Sequence, residues 1–136
     1  MIKLSVVIAK FSLTKHLTIC TIYSTIIVMK DIIYLKLENG KSPLIDWLNG
    51  LDRQTSLRIR KRLLRLENDN PGYTKKLTSE ISEIKFTFGA GYRIYYSEID
   101  NLVILLINGG DKSTQNKDIQ NAQKLLKQWK EANHEI

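Results

Sequence analysis

Glu83, Lys85 and Arg93 stand in two short stretches of alternating polar and apolar sequence, and Tyr95 follows two residues after Arg93. If these stretches are neighbouring antiparallel strands, all four side chains leave one face. Residues two apart in a strand point the same way, and directly opposed residues become neighbours. A polar burst, Asp111-Lys112-Ser113-Thr114-Gln115, comes soon after the next apolar run. Together these side chains offer cations for a phosphate, ring and amide groups for a base, and a carboxylate that could take a proton. The same pattern also fits a solvated sheet face on which Glu83, Lys85 and Arg93 make exposed ion pairs of little energetic weight. Asp111 could equally be a turn residue or a helix cap.

No stronger catalytic motif competes. Gly89-Ala90-Gly91 reads as a three-residue turn, and Gly109-Gly110-Asp111-Lys112-Ser113 lacks the upstream glycine of a phosphate-binding G-x-x-x-x-G-K-[ST] loop. There is no G-x-S-x-G elbow. One cysteine, Cys20, and two histidines, His16 and His134, exclude an internal disulfide and a Cys/His metal cluster, and they fit a reducing cytoplasm. Any catalysis is therefore expected to need no metal, cofactor or histidine.

The elements that must position these residues begin with Asp31 to Leu37, a β-branched and aromatic run closed by the turn signal Glu38-Asn39-Gly40. Ser42-Pro43 supplies an N-cap and a first-turn proline for a short helix with Leu44, Trp47 and Leu48 at helical spacing, ended by Asn49-Gly50. Asp52 caps a second helix. Its apolar face is expected to be Leu57, Ile59, Leu63, Leu64 and Leu66, and Arg53, Arg58, Arg60, Lys61, Arg62 and Arg65 crowd the rest. The pair makes a helical hairpin with a basic flank. Asn68 to Gly72 stops it, and a loop through Lys75 and Lys76 leads to three runs: Ile81 to Phe88, Tyr92 to Ile99 and Leu102 to Asn108. Short turns between them predict an antiparallel meander. In the first run Ile84, Phe86 and Phe88 oppose Glu83, Lys85 and Thr87; in the second Tyr92, Ile94 and Tyr96 oppose Arg93 and Tyr95. The third, Leu-Val-Ile-Leu-Leu-Ile, predicts a central strand with helices covering one side. A last helix starts near Ser113 to Lys117 with Ile119, Ala122, Leu125, Leu126 and Trp129 on its apolar side. The expected fold is α+β, in the order β-α-α-β-β-β-α. A four-stranded, antiparallel-rich sheet packs against an N-terminal helical hairpin and a C-terminal helix.

A length of 136 residues fits one domain of ordinary size. The net charge of +7 points toward polyanionic partners, with binding that weakens in salt. Residues 1–28 stand apart: the stretch through Met29 has no acidic residue, carries Lys3, Lys10 and Lys15, and runs uncharged from Leu17 to Met29. That run is shorter than the roughly 20 residues of a spanning helix, and no small-x-small cleavage signal follows it. It reads as a targeting or anchoring segment, an extra strand, or residues upstream of a genuine start at Met29. The last is preferred, because a well-formed domain pattern, 29–136, begins there. Without the three lysines the charge is +4.

Phe86-Thr87-Phe88-Gly89-Ala90-Gly91-Tyr92-Arg93-Ile94-Tyr95-Tyr96, followed by Leu105 to Gln115 and Asp118-Ile119, closely resembles the addiction-module killer proteins of the RelE/ParE toxin superfamily, in the HigB-type branch. Trp47-Leu48-x-x-Leu51 and the basic run Arg58 to Leu63 are similar to that branch too, so the likeness spans about Asp31 to Trp129. The resemblance implies a cytoplasmic toxin without a membrane partner, held inactive by a cognate helix-turn-helix antitoxin and meeting DNA only through that complex. It implies metal-independent cleavage of mRNA at the ribosome, by attack of a ribose 2′-hydroxyl on the neighbouring phosphate. By the same resemblance Arg93 contacts the scissile phosphate, and Lys112 and Lys85 hold basic positions around it. Glu83, Asp111 or Tyr95 handles protons, since family histidines and a C-terminal tyrosine have no counterpart here. Arg58, Arg62 and Arg65, with Gln115, would meet RNA. Two alternatives stay open: a gyrase-directed poison of ParE type, and a non-enzymatic module kept for antitoxin binding and regulation.

Overall fold

The computed structural model describes residues 30–68 and 72–133, so the readings placed on residues 1–29 lie outside them. In chain order the elements are β1 (Asp31–Tyr34), α1 (Pro43–Gly50), α2 (Arg53–Leu63) with a 3-10 continuation (Leu64–Asn68), β2 (Thr74–Lys76), β3 (Ser82–Lys85), β4 (Arg93–Ile99), β5 (Val103–Gly110), a 3-10 turn (Lys112–Thr114) and α3 (Gln115–Asn133). The strands form one sheet in the order β1-β5-β4-β3-β2. β1 lies parallel to β5, and the other neighbours are antiparallel.

Helix starts follow local chemistry. The Ser42 hydroxyl accepts the Ile45 N–H at 3.4 Å ahead of Pro43, and the Asp52 carboxylate accepts the Thr55 N–H at 3.0 Å. Each cap satisfies an amide that has no partner inside its helix. At the tight β4–β5 turn Asp100 and Asn101 both take positive φ, 52° and 58°, a conformation that Asn and Asp tolerate better than most residues.

Two apolar layers flank the sheet. On one face Leu44 and Leu48 of α1 and Ile59, Leu63 and Leu66 of the second helical segment meet Ile84, Phe86, Ile94, Tyr96, Ile104 and Leu106. On the other, Ala122 and Leu126 of α3 meet Leu35, Ile81, Tyr95, Leu105 and Ile107. Burying one such aliphatic side chain contributes about 1.5–3 kcal/mol.

Four expectations change. The sheet has five strands, because Lys75 and Lys76, expected in a loop, belong to the edge strand β2. Three exposed residues carry no alternation to detect. The first strand ends at Tyr34, with one further ladder bond from Leu35 N–H to Leu106 O at 2.8 Å. β5 is apolar on both sides because helices cover both faces, and β4 is the middle strand of the five. Finally, Leu57 and Leu64 are 55% and 65% exposed. Ile59, Leu63 and Leu66, at helical spacing, make the buried stripe, and the other two leucines sit seven residues apart on a second, outward one.

Candidate functional site

Strand register brings the predicted residues into two transverse rows on the α3 side of the sheet. Lys85 opposes Arg93, which opposes Gly110; Glu83 opposes Tyr95, which opposes Asn108. A β-bulge produces the second row. Tyr95 pairs with Asn108 but Tyr96 pairs with Leu106, so Ile107 is the extra residue on β5. The bulge shifts the side-chain phase at the end of β5. Asn108 therefore points toward α3, where its Nδ2 donates to the Asp118 carbonyl at 3.0 Å. Gly109 faces Trp47 and Gly110 faces Asp118, both so closely that an added Cβ would collide with those side chains.

This face is covered, not solvated. Glu83 is 5% exposed, Arg93 6% and Tyr95 fully buried. Glu83 Oε2 accepts from Gln115 Nε2 at 2.9 Å and lies 3.5 Å from Arg93 Nε, while Arg93 Nη1 donates to the Gly91 carbonyl at 2.8 Å. Two charges drawn from water at that separation, without a hydrogen bond from Nε, form a weaker pair than a short bidentate one. The exposed ion pairs expected from the sequence are thus a buried pair instead. Three buried polar atoms, Arg93 Nε, Tyr95 Oη and Asn108 Oδ1, make no hydrogen bond. Burial foremost, then the negative charges of Glu83 and Asp118, push the Tyr95 phenol well above its ordinary value.

Lys85 and Lys112 are exposed at the rim of this buried pair. The chain after β5 returns to the β3–β4 turn: Lys112 N–H reaches Ala90 O at 3.4 Å, and a Cβ added to Gly91 would lie 3.4 Å from Lys112 Cβ and 3.5 Å from Arg93 Nη1. Those are ordinary contact distances, and it is the φ of +73° at Gly91 that favours glycine there. Asp111 caps the 3-10 turn. The Ser113 hydroxyl and then the Ser113 N–H bond its carboxylate and hold it below the usual carboxylate value. Thr114 Oγ1 donates to Asp118 Oδ2. Lys112 to Lys117 line a shallow groove of about 340 Å³. A larger hollow of 690 Å³ lies between Leu35–Asn39 and the last turns of α3, away from these cations.

The helical arginines separate. Arg58 is exposed, its guanidinium 3.9 Å above the Phe88 ring, and Arg65 is exposed on the 3-10 continuation. Arg62 braces the fold: Nη1 donates to Lys85 O at 2.8 Å, Nη2 reaches Tyr73 O at 3.5 Å, and its guanidinium lies 4.6 Å over Phe86. Asn108 and Asp118 were not legible as site residues from local pattern. The Gly109-Gly110 pair closing an apolar strand was the one signal of a close approach there. Among the described residues no three His, Cys, Asp or Glu side chains gather to hold a metal ion, and no helix is long and apolar enough to cross a membrane.

No protein-family model matches the chain. A free-state structure of E. coli toxin RelE, carrying two arginine-to-alanine substitutions, is similar with a TM-score of 0.50 and 18% identity, over 73% of this chain and 97% of that one. At that identity the likeness establishes an α+β fold of RelE type. An uncharacterized protein of Haemophilus influenzae is 40% identical over 83 residues, spanning 60% of this chain and 83% of that protein. The chain belongs to one family with this Haemophilus influenzae protein, and it carries the RelE-like fold.

Proposed function

We propose that the protein is the toxin of a type II toxin–antitoxin pair of the HigB-type branch, acting in the cytoplasm as a ribosome-dependent mRNA endoribonuclease that needs no metal. The observation that supports this most is the gathering of Lys85, Arg93 and Lys112 at one corner of a RelE-like sheet. In the proposed step a ribose 2′-oxygen attacks the adjacent phosphorus as the bond to the 5′-oxygen breaks. The products are a 2′,3′-cyclic phosphate and a 5′-hydroxyl. Charge grows on the non-bridging oxygens, where fixed cations stabilise the transition state. Lys85 and Lys112 bring exposed charge, and Arg93 adds an oriented cation beneath them. The 2′-hydroxyl gives its proton to an acceptor, and the departing 5′-oxygen takes one up from solvent. The Tyr95 phenol, raised by burial, keeps its proton near pH 7 and is a poor acceptor, which leaves the carboxylates of Glu83 and Asp111.

Arg58 and Arg65 dock against ribosomal RNA in this proposal, through phosphates and not bases, and Gln115 orients Glu83. The inhibitor is a cognate helix-turn-helix antitoxin, and residues 29–136 form the toxin domain. A second reading, a non-enzymatic antitoxin-binding module, is favoured by one observation: Arg93 is buried and paired with Glu83. The test is induced expression of the wild type, Arg93→Ala and Lys112→Ala, with mapping of mRNA 5′ ends in translating and translation-blocked cells. New ends that need both Lys112 and translation support the nuclease. Growth arrest without new ends points to gyrase or another protein target, and harmless expression with antitoxin binding leaves the module.

A further inference from the structure

Tyr73 is 71% exposed, the most exposed of the large hydrophobic side chains among the described residues. Its position is nevertheless fixed. The Tyr73 carbonyl accepts the Lys85 N–H at 3.0 Å and approaches Arg62 Nη2 at 3.5 Å, so the β2–β3 ladder, in which Thr74 opposes Ile84, extends by one residue to set Tyr73 opposite Lys85. Because Lys85 opposes Arg93 and Arg93 opposes Gly110, one row crosses four chain segments: Tyr73, Lys85, Arg93, Gly110. Directly opposed residues share a face. Strands lie about 4.8 Å apart, which puts Tyr73 about 10 Å from Arg93. Lys75, two residues on and also exposed, flanks the ring on the same face.

Among the described residues no ring stacks on Tyr73, although Trp47, Tyr92, Phe88 and Phe86 pack each against the next in that order. An open aromatic side chain on an anchored backbone, flanked in register by two lysines and in line with a buried arginine, is the arrangement by which single strands are held. The cations follow the phosphates, and the ring takes a base irrespective of its identity.

We propose that Tyr73 is a stacking platform for a base of single-stranded RNA whose neighbouring phosphate lies over Lys85 and Arg93. The inference rests on reading this corner as an RNA site and adds a contact on the sheet edge, outside the cation cluster. The platform is sequence-tolerant, and it positions RNA without taking part in bond cleavage.

The test uses the purified full chain and a fluorescein-labelled single-stranded RNA of about eight nucleotides, a length within the usual span of such sites, with affinity read by anisotropy at two salt concentrations. Tyr73→Ala is expected to weaken binding about 5-fold or more, because base stacking on an aromatic side chain contributes at that level. Tyr73→Phe keeps the ring and is expected to bind like wild type. Lys85→Ala should lower affinity and reduce the salt dependence by about one phosphate contact, which Tyr73→Ala should leave unchanged. Affinity unaltered in Tyr73→Ala while Lys85→Ala weakens binding overturns the platform and keeps the RNA site. Equal loss in Tyr73→Phe and Tyr73→Ala overturns the stacking role in favour of the hydroxyl. Failure of wild type to bind RNA at all overturns both.

Discussion

Glu83→Gln gives the sharpest test of how this site is built. The substitution keeps the shape of the side chain and removes its charge, leaving Arg93, 7% exposed at its side chain, without the carboxylate 3.5 Å away. Removing one member of a buried ion pair costs about 3–5 kcal/mol, chiefly through the charge left behind. Two features reduce that here. Arg93 Nε makes no hydrogen bond to the carboxylate, and Nη1 keeps its 2.8 Å bond to Gly91 O. The expected loss is therefore about 2–3 kcal/mol, or about 7–13 °C in Tm for a domain of this size. Urea unfolding followed by tryptophan fluorescence should show a lower midpoint at unchanged m-value. Arg93→Met alone strands Glu83 in the same way, whereas the double substitution removes both charges and should recover much of the loss. A Glu83→Gln shift below about 0.5 kcal/mol, the range of ordinary surface changes, or a double variant no better than Arg93→Met, would refute the view that the pair is a buried structural unit. The same physics means that Arg93→Ala compromises folding as well as chemistry, and Lys112→Ala, at an exposed position, is the cleaner probe of activity.

Other consequences can be checked in the same unfolding assay. Tyr95→Phe deletes a buried hydroxyl that makes no hydrogen bond and should leave stability within about 0.5 kcal/mol or raise it, with the proposed RNA cleavage unaffected; a large loss in either would show that the hydroxyl has a role. Since burial raises the Tyr95 phenol above the ordinary tyrosine value of about 10, the folded state keeps a proton that the unfolded chain releases. Wild-type stability should thus fall as pH climbs above about 10, with a gentler slope in Tyr95→Phe. Gly109→Ala drives a methyl into the Trp47 ring and should cost about 1–3 kcal/mol by overpacking, seen as a lower midpoint and altered Trp47 fluorescence. Leu64→Ala, at an exposed site, should change stability by less than about 0.5 kcal/mol. Leu63→Ala, at a buried one, should cost about 2–5 kcal/mol. Equal losses in the two leucine variants would contradict the placement of α2.

Packing explains why the site is rigid on one side and open on the other. α3 covers Tyr95, Glu83 and Arg93, and its first residues are tied down by the Gln115 contact with Glu83 and the Asn108 bond to the Asp118 carbonyl. Lys85 and Lys112 are left at the uncovered margin, beyond the first turn of that helix. Substitutions that loosen the start of α3 should therefore disturb Arg93 through Glu83 without touching it.

What could be read from the sequence by itself was whatever local chemistry decides. Ser42-Pro43 and Asp52 start helices because a side-chain oxygen meets an unpaired amide within three residues. Ile84 and Phe86 separate from Glu83 and Lys85 because a strand alternates. Arg93 opposes Lys85 because a short turn sets the register. Contacts between distant segments were beyond that reach. Periodicity tells which side chains share a face and is silent on whether another element will cover it, so the face carrying Glu83, Tyr95 and Arg93 reads as solvated until α3 lies over it. β2 is too short to show a period, and β1 pairs in parallel with a strand about 70 residues away, a match that no turn dictates. The bulge that turns Asn108 toward α3 arises from one unmatched residue in β5, and only the partner strand reveals it.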